Sequence, residues 1–216
     1  MAAADTYHAA RVDIRPFDFR MALSILERRA PWIDLLEQIA AVTDAEITRE
    51  QAAIARKRVT APAGAQTALN AILRRRLAAP LWQHEAVLFS GADNEDQLGE
   101  WRMDFARDRV GIEVSFNHSE AIPWTLTRLN LAGESTEVLA ASRIDVGVAL
   151  YPTKRMKEWG HMDAAVGTYE RACLWLTKMR PVMPIPIAVV GIDPATDGTR
   201  WIGSAVFRGT IKHTKR

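Results

Sequence analysis

Apolar residues recur at helical spacing between positions 23 and 54: Leu23, Ile25, Leu26, Trp32, Leu35, Leu36, Ile39, Ala40 and Val42. Pro31 suits a first helical turn and opens a second helix there. Thr43-Asp44 breaks the pattern, helix resumes over residues 47 to 58, and Pro62 and Gly64 end it. A third helical pattern covers residues 67 to 79, with Leu69, Ile72, Leu73 and Leu77 on one side and Arg74, Arg75 and Arg76 beside them. The N-terminal third is therefore read as mostly helix.

The period then changes. Residues 86 to 89 form a short strand candidate, and 91 to 99, GADNEDQLG, an acidic loop. Residues 101 to 106 and 109 to 116 read as two strands joined by a tight Arg107-Asp108 turn. A helix over 123 to 132, a strand over 144 to 151, a helix over 164 to 178 and strands over 185 to 192 and 201 to 207 follow. That order predicts an α/β fold: a mixed sheet with helices on both faces.

Composition narrows the class. The 216 residues are 25% charged and 48% hydrophobic, with 12 Gly and 10 Pro, which excludes low-complexity, collagen-like and disordered chains. A chain of this length buries about 70% of its unfolded surface. One domain is expected over residues 1 to 216, a helical part to about 80 and a sheet core from about 81 to 208. Cys173 is the single cysteine, so no internal disulfide and no multi-thiolate zinc site can form. The net charge of +2 is compatible with nucleic acid without pointing to it. The first twenty residues lack an apolar segment, and the run PIPIAVVGI at 184 to 192 is too short to span a bilayer. A cytoplasmic protein without a membrane partner is expected.

The stretch WRMDFARDRVGIEVSFN, 101 to 117, carries the candidate chemistry. With a turn at Arg107-Asp108, Asp104 lies opposite Gly111, and side chains alternate faces along a strand. Asp104, Gly111, Glu113 and Ser115 then share one face, while Ile112, Val114 and Phe116 point into a core. Diagonal neighbours across a hairpin lie roughly 7–8 Å apart, so the two carboxylates can converge on a small acidic pocket. Magnesium accepts one or two carboxylates, several waters and phosphate oxygens. It can acidify a bound water and neutralise charge developing on a phosphoryl group. The same spacing also describes two acids on the exposed face of an ordinary hairpin.

Together, MDFARDRVGIEVSFN, RIDVGVALYPTK and PIAVVGIDP resemble the BglII and BstYI group of type II restriction endonucleases, within the PD-(D/E)-x-K nuclease superfamily. The likeness runs from about residue 68 to 194 and includes ALN at 68 to 70, Trp82 and the pair Tyr169-Glu170. It implies a restriction-endonuclease-like mixed β-sheet flanked by helices. By this resemblance Asp104 and Glu113 are the metal-binding carboxylates, and the Val114 carbonyl adds a metal ligand. Ser115 falls on the third active-site position, where the superfamily usually has Lys and this group Gln. A serine hydroxyl can hydrogen-bond a water but carries no positive charge. His118 and Glu120 are neighbouring candidates for that role.

The resemblance also places base readout in two segments. One is Asn117, His118 and Ser119, with Glu120. The other, residues 154 to 163, supplies Lys154, Arg155, Lys157, His161 and Asp163, with Trp159 either a loop anchor or a base contact. Arg74, Arg75, Arg76, Arg102, Arg107 and Arg109 are either phosphate contacts or charges on solvated faces. The basic tail IKHTKR is a phosphate contact or a frayed terminus. Enzymes of this type act as homodimers on double-stranded DNA, and helices bearing Trp32 or Trp124 are candidate interfaces.

The implied function is that of a type II restriction endonuclease. It would hydrolyse phosphodiesters at a short palindrome with Mg2+ and leave 5′-phosphate ends. The alternative is a sequence-specific DNA-binding relative made weak or silent by Ser115. A repair nuclease of the superfamily and a small-phosphoester hydrolase are further rivals; the second lacks a Gly-rich phosphate loop.

Overall fold

The computed structural model describes residues 12–57, 64–78, 81–90 and 101–194. The strand expected at 201 to 207, the acidic loop at 91 to 99 and the basic tail lie outside the described residues.

Three fully buried strands, β4 (Val110–Val114), β5 (Val146–Pro152) and β6 (Ile187–Asp193), run parallel at the centre of the sheet. Burial on both faces explains their near-continuous Val, Ile, Leu and Ala runs. The sheet has six strands in the order β1-β6-β5-β4-β3-β2. Its outer members, β1 (Asp13–Phe19), β3 (Arg102–Arg107) and β2 (Gln83–Val87), pair antiparallel.

One face of the sheet is covered by α2 (Ala30–Ala40) and α4 (Gln66–Leu77), whose Trp32, Leu36, Leu69 and Leu73 pack in one cluster with Phe105, Ile112, Val114 and Val148. The short α1 (Ala22–Leu26) joins that cluster, and α3 (Asp44–Lys57) packs on α4. The other face is covered by α5 (Ile122–Glu134) and α7 (Tyr169–Lys178), whose Leu126, Leu129, Ala172 and Leu176 pack with Ala149, Tyr151 and Val189. A short α6 (Lys154–Trp159) leaves the end of β5.

Local chemistry accounts for the boundaries. Thr43 Oγ1 accepts from the Glu46 N–H at 3.1 Å, which caps α3 and explains the break at 43 to 44. Pro123 stands in the first turn of α5. Strand β1 carries no clean alternation and contains Pro16, which an edge strand tolerates. No strand was expected there. The helix expected from 164 starts at Tyr169 instead, because His118 and Val166 form a β-bridge that holds the preceding residues extended.

The hairpin turn also differs from expectation. Its central residues are Asp108 and Arg109, with φ of 47° and 63°, in the arrangement that matches strand twist. Arg109 Nε donates to Asp145 Oδ1 at 2.7 Å, which helps hold this unusual backbone. Ala106 therefore pairs with Gly111, and Phe105 with Ile112. The two-residue shift brings Asp104 to the level of Glu113, where the expected register set it opposite Gly111.

Gly111 is where β4 approaches the α5 layer. A Cβ there would meet Met103 Sδ and lie 2.9 Å from Ile144 Cδ1. Gly111→Ala is expected to cost about 1–3 kcal/mol, read as a lower urea midpoint.

Candidate active site

The ladder between β3 and β4 ends at Phe105–Ile112, and the strands separate beyond it. Asp104 occupies the gap. Its Oδ2 accepts the Val114 N–H at 2.7 Å, where a strand carbonyl would otherwise stand. Alternation is broken at this residue: Phe105 packs on the α4 side, whereas both Met103 and Ala106 pack on the α5 side. Across on β2, Glu85 adopts φ 47°. Arg74 of α4 spans the break, donating to Asp104 Oδ1 at 2.6 Å and Glu85 Oε1 at 2.9 Å.

Glu113 and Ser115 face α5 and are buried, at 2% and 3% exposure. The open hairpin face of the alternative reading is thus excluded: a helix covers it. Arg128 of α5 grips Glu113 in a bidentate pair, Nε to Oε1 at 2.8 Å and Nη2 to Oε2 at 2.7 Å. Burial pushes the Glu113 carboxyl up to about 7, against the pull of Arg128, with Asp104 adding repulsion. Burial likewise raises Asp104, opposed by the Val114 N–H and Arg74. Asp104 repels charge on Glu113, and Glu85 repels charge on Asp104, so the cluster favours added positive charge.

Beneath them lies Tyr151 of β5, fully buried. Its phenol is pushed upward by burial, and the side chains of Thr125 and Ser115 adjoin it. The Tyr151 hydroxyl completes no hydrogen bond of ordinary geometry among the described residues. Ser115 donates its own N–H to the Leu150 carbonyl at 3.0 Å, which keeps β4 in register with β5 to its end. His118 and Glu120 are exposed beyond the strand end, apart from this buried cluster.

Among the described residues no group of three or more His, Cys, Asp and Glu side chains could hold a metal ion. The donor set still fits a hard divalent cation, which needs only one or two carboxylates if waters complete its shell. Val114 turns its N–H to the β3 edge. In an extended strand the carbonyl of the same residue points the same way, so it can serve as the third oxygen.

The two segments expected to read DNA are neighbours. Gly167 N–H donates to the Asn117 carbonyl at 2.9 Å, and Ser119 N–H to the Ala165 carbonyl at 2.7 Å. Ser119, Lys154, Lys157 and His161 line one groove of about 950 Å³, with Arg171 and Trp175 on its α7 wall. The segment 154 to 163 is not a loop throughout, since Lys154–Trp159 is helical and capped by Thr153 Oγ1. Lys157 Nζ binds the carbonyls of Ala164 and Val166 and so braces the following loop. Arg155 pairs with buried Asp193, as does Arg15, and Asp163 Oδ1 accepts the Ala165 N–H. Asn117 and His118 are exposed beyond the end of β4.

Five of the six arginines weighed as phosphate contacts form ion pairs within the chain. Arg74 holds Glu85 and Asp104; Arg75 and Arg76 hold Glu46. Arg107 holds Asp34 and lies over the Trp82 ring, and Arg109 holds Asp145. Trp32 is buried, so its side chain cannot serve a subunit interface, whereas Trp124 is 61% exposed on α5.

Arg128 escaped the sequence reading. It is the single charge between Glu120 and Glu134, at the margin of the apolar stripe Ile122, Leu126 and Leu129. A lone charge beside the buried face of a helix is a signal the sequence does contain.

The fold is that of a restriction endonuclease. It superposes on the crystal structure of restriction endonuclease BglII complexed with a DNA 16-mer at a TM-score of 0.60, with 14% identity, covering 86% of this chain and 78% of that one. Free BglII gives a TM-score of 0.49, with 16% identity over 86% of this chain and 80% of that one. No curated protein matches the sequence. Residues 15–192 match the family model for restriction endonuclease BglII/BglIII. The chain belongs to that family, and with it to the type II site-specific deoxyribonucleases. Enzymes of the family generally use divalent metal ions. Among the described residues no helix is long and apolar enough to cross a membrane.

Proposed function

We propose that the chain cleaves double-stranded DNA at a short palindrome in a Mg2+-dependent reaction at Asp104 and Glu113, leaving 5′-phosphate ends. The observation that carries this reading is the placement of buried Glu113 and partly buried Asp104 where β3 parts from β4, with Asp104 bound to the Val114 N–H. Asp104, Glu113 and the Val114 carbonyl would hold the cation. Bound there, Mg2+ offers charge neutralisation and a more acidic water. Ser115 adjoins the attacking water as a neutral hydrogen-bonding group. Water oxygen bonds to phosphorus as the P–O3′ bond breaks. O3′ leaves with that bonding pair and takes a proton, which gives a 3′-hydroxyl and a 5′-phosphate.

Asn117, His118, Ser119, Lys154, Arg155, Lys157, His161 and Asp163 form the DNA-reading side, with Lys157 and Asp163 acting by shaping the loop at 163 to 166. A homodimer matches the two-fold symmetry of a palindrome, each subunit cutting one strand. Exposed Trp124 is the candidate anchor of that contact. The reaction is tested by cutting a plasmid with Mg2+ and religating the fragments without prior phosphorylation. Efficient ligation is expected, and ends that require a kinase contradict the assignment.

Glu113 gives the rate a pH dependence. Only the ionised carboxylate can hold a cation, and burial has moved its ionisation to about 7. Single-turnover cleavage is expected to climb about tenfold per pH unit below that value and level off above it. Stability runs the other way. The folded carboxyl binds its proton more tightly than the unfolded one, ordinarily near 4.5, so this group's contribution is lost as pH rises from about 4.5 to about 7. Urea unfolding of Glu113→Gln should therefore gain on the unsubstituted protein as pH increases across that window.

A further inference from the structure

Arg128 and Arg74 both touch the carboxylate pair, and they do so differently. Arg74 is spent: Nε reaches Asn70, Nη1 Glu85 and Nη2 Asp104, so two acids offset its charge. Arg128 meets Glu113 edge-on through Nε and Nη2, which leaves Nη1 for another acceptor. Its side chain keeps 29% of its surface exposed while Glu113 beneath it is buried. The residue thus connects the buried acid to the open side of the site.

Ser115, two positions beyond Glu113 and directly after β4, is neutral and buried. A phosphodiester undergoing attack gathers negative charge on its non-bridging oxygens. The planar fork of a guanidinium fits two phosphate oxygens as well as it fits a carboxylate. Resting on the assignment of Asp104 and Glu113 as the metal-holding pair, we infer that Arg128 is a catalytic residue that contacts the scissile phosphate of bound DNA and supplies the positive charge Ser115 lacks. In the DNA-free protein that guanidinium neutralises Glu113. In the complex it is shared with the phosphate, so one side chain serves as counter-ion first and as charge stabiliser afterwards.

A residue that merely held Glu113 in place would act through metal binding, and the two roles separate by experiment. Arg128→Ala and Arg128→Lys are compared for single-turnover cleavage, for Ca2+ affinity by calorimetry, and for specific DNA affinity in Ca2+. Arg128→Ala is expected to slow cleavage about 100-fold, the scale of losing one oxyanion donor. Ca2+ and DNA affinities should change little. Arg128→Lys should recover part of the rate, as should guanidinium added to Arg128→Ala well below denaturing concentration. Unchanged cleavage overturns the inference, and so does a loss of Ca2+ affinity that accounts for the lost rate. If Arg128→Ala does not fold, Arg128→Lys and Arg128→Gln carry the comparison, and equal rates in these two also overturn it. Cleavage by Asp104→Asn or Glu113→Gln would instead remove the underlying assignment of the carboxylate pair, whatever Arg128 does.

Discussion

Asp104→Asn and Glu113→Gln are each expected to lower the cleavage rate about a thousandfold or more while leaving specific DNA binding intact. A carboxylate that holds a catalytic cation supports several kcal/mol of transition-state stabilisation, and about 1.4 kcal/mol corresponds to a factor of ten. Both substitutions preserve size, so the hydrogen-bonded surroundings stay occupied. Asparagine can still accept the Val114 N–H through its carbonyl, and glutamine can still accept one bond from Arg128. Neither removes a DNA contact, and each removes a negative charge facing phosphate. Binding should hold steady or tighten. Gel-shift affinity beside single-turnover cleavage gives both numbers from one preparation. Loss of binding in step with cleavage would mean that these acids support the fold and not the chemistry.

The second large effect is on stability. Phe105→Ala should destabilise the protein by about 3–5 kcal/mol. Phe105 is 2% exposed, packs with the α2 and α4 cluster and meets the His84 ring edge-on at 4.9 Å between centroids. It also follows Asp104 directly and begins the ladder to Ile112. Against a total stability of about 5–15 kcal/mol for a typical domain, the loss is large enough to move the urea midpoint clearly. Cleavage per folded molecule should fall as well, because removing the ring loosens the strand break that places Asp104. Phe105→Leu keeps most of the volume and should show a smaller change in both readouts.

How much of this was legible beforehand depended on where burial leaves a pattern. The helical stripes of α2, α4 and α5 were readable because one side of each meets the sheet, as Leu69, Ile72 and Leu73 do. The fully buried runs of β5 and β6 were readable for the same reason. Strand β1 was not: an edge strand with mixed burial and a proline has no period-two signal. Nor was the true turn, since Asp108-Arg109 lacks the usual glycine or asparagine and is supported by Asp145, distant in sequence. The paired part of the hairpin moved by an even count, which keeps Gly111, Glu113 and Ser115 on one face, whereas Asp104 lies at a break in alternation that no pattern signals.

The electrostatic frame of the site was the least legible part. Arg74 sits in a basic run that reads equally well as a solvated face, and its placement on Asp104 depends on how α4 lies against β3. Arg128 reaches Glu113 across 15 positions, from a helix whose angle to β4 no local pattern records. Similarly, the groove joining Ser119 to Lys154 and His161 requires residues 163 to 167 to run extended against 117 to 119, where helical periodicity had suggested a helix.

The central claim is metal-dependent, sequence-specific cleavage by the Asp104–Glu113 pair, and digestion of unmethylated phage DNA tests it most directly. The protein is incubated with Mg2+, with Mn2+ and with chelator, beside Glu113→Gln under the same conditions. Discrete bands that appear with metal, vanish with chelator and are missing for Glu113→Gln are the predicted result. An intact substrate in both metals, together with a specific gel shift on the same DNA, would contradict it.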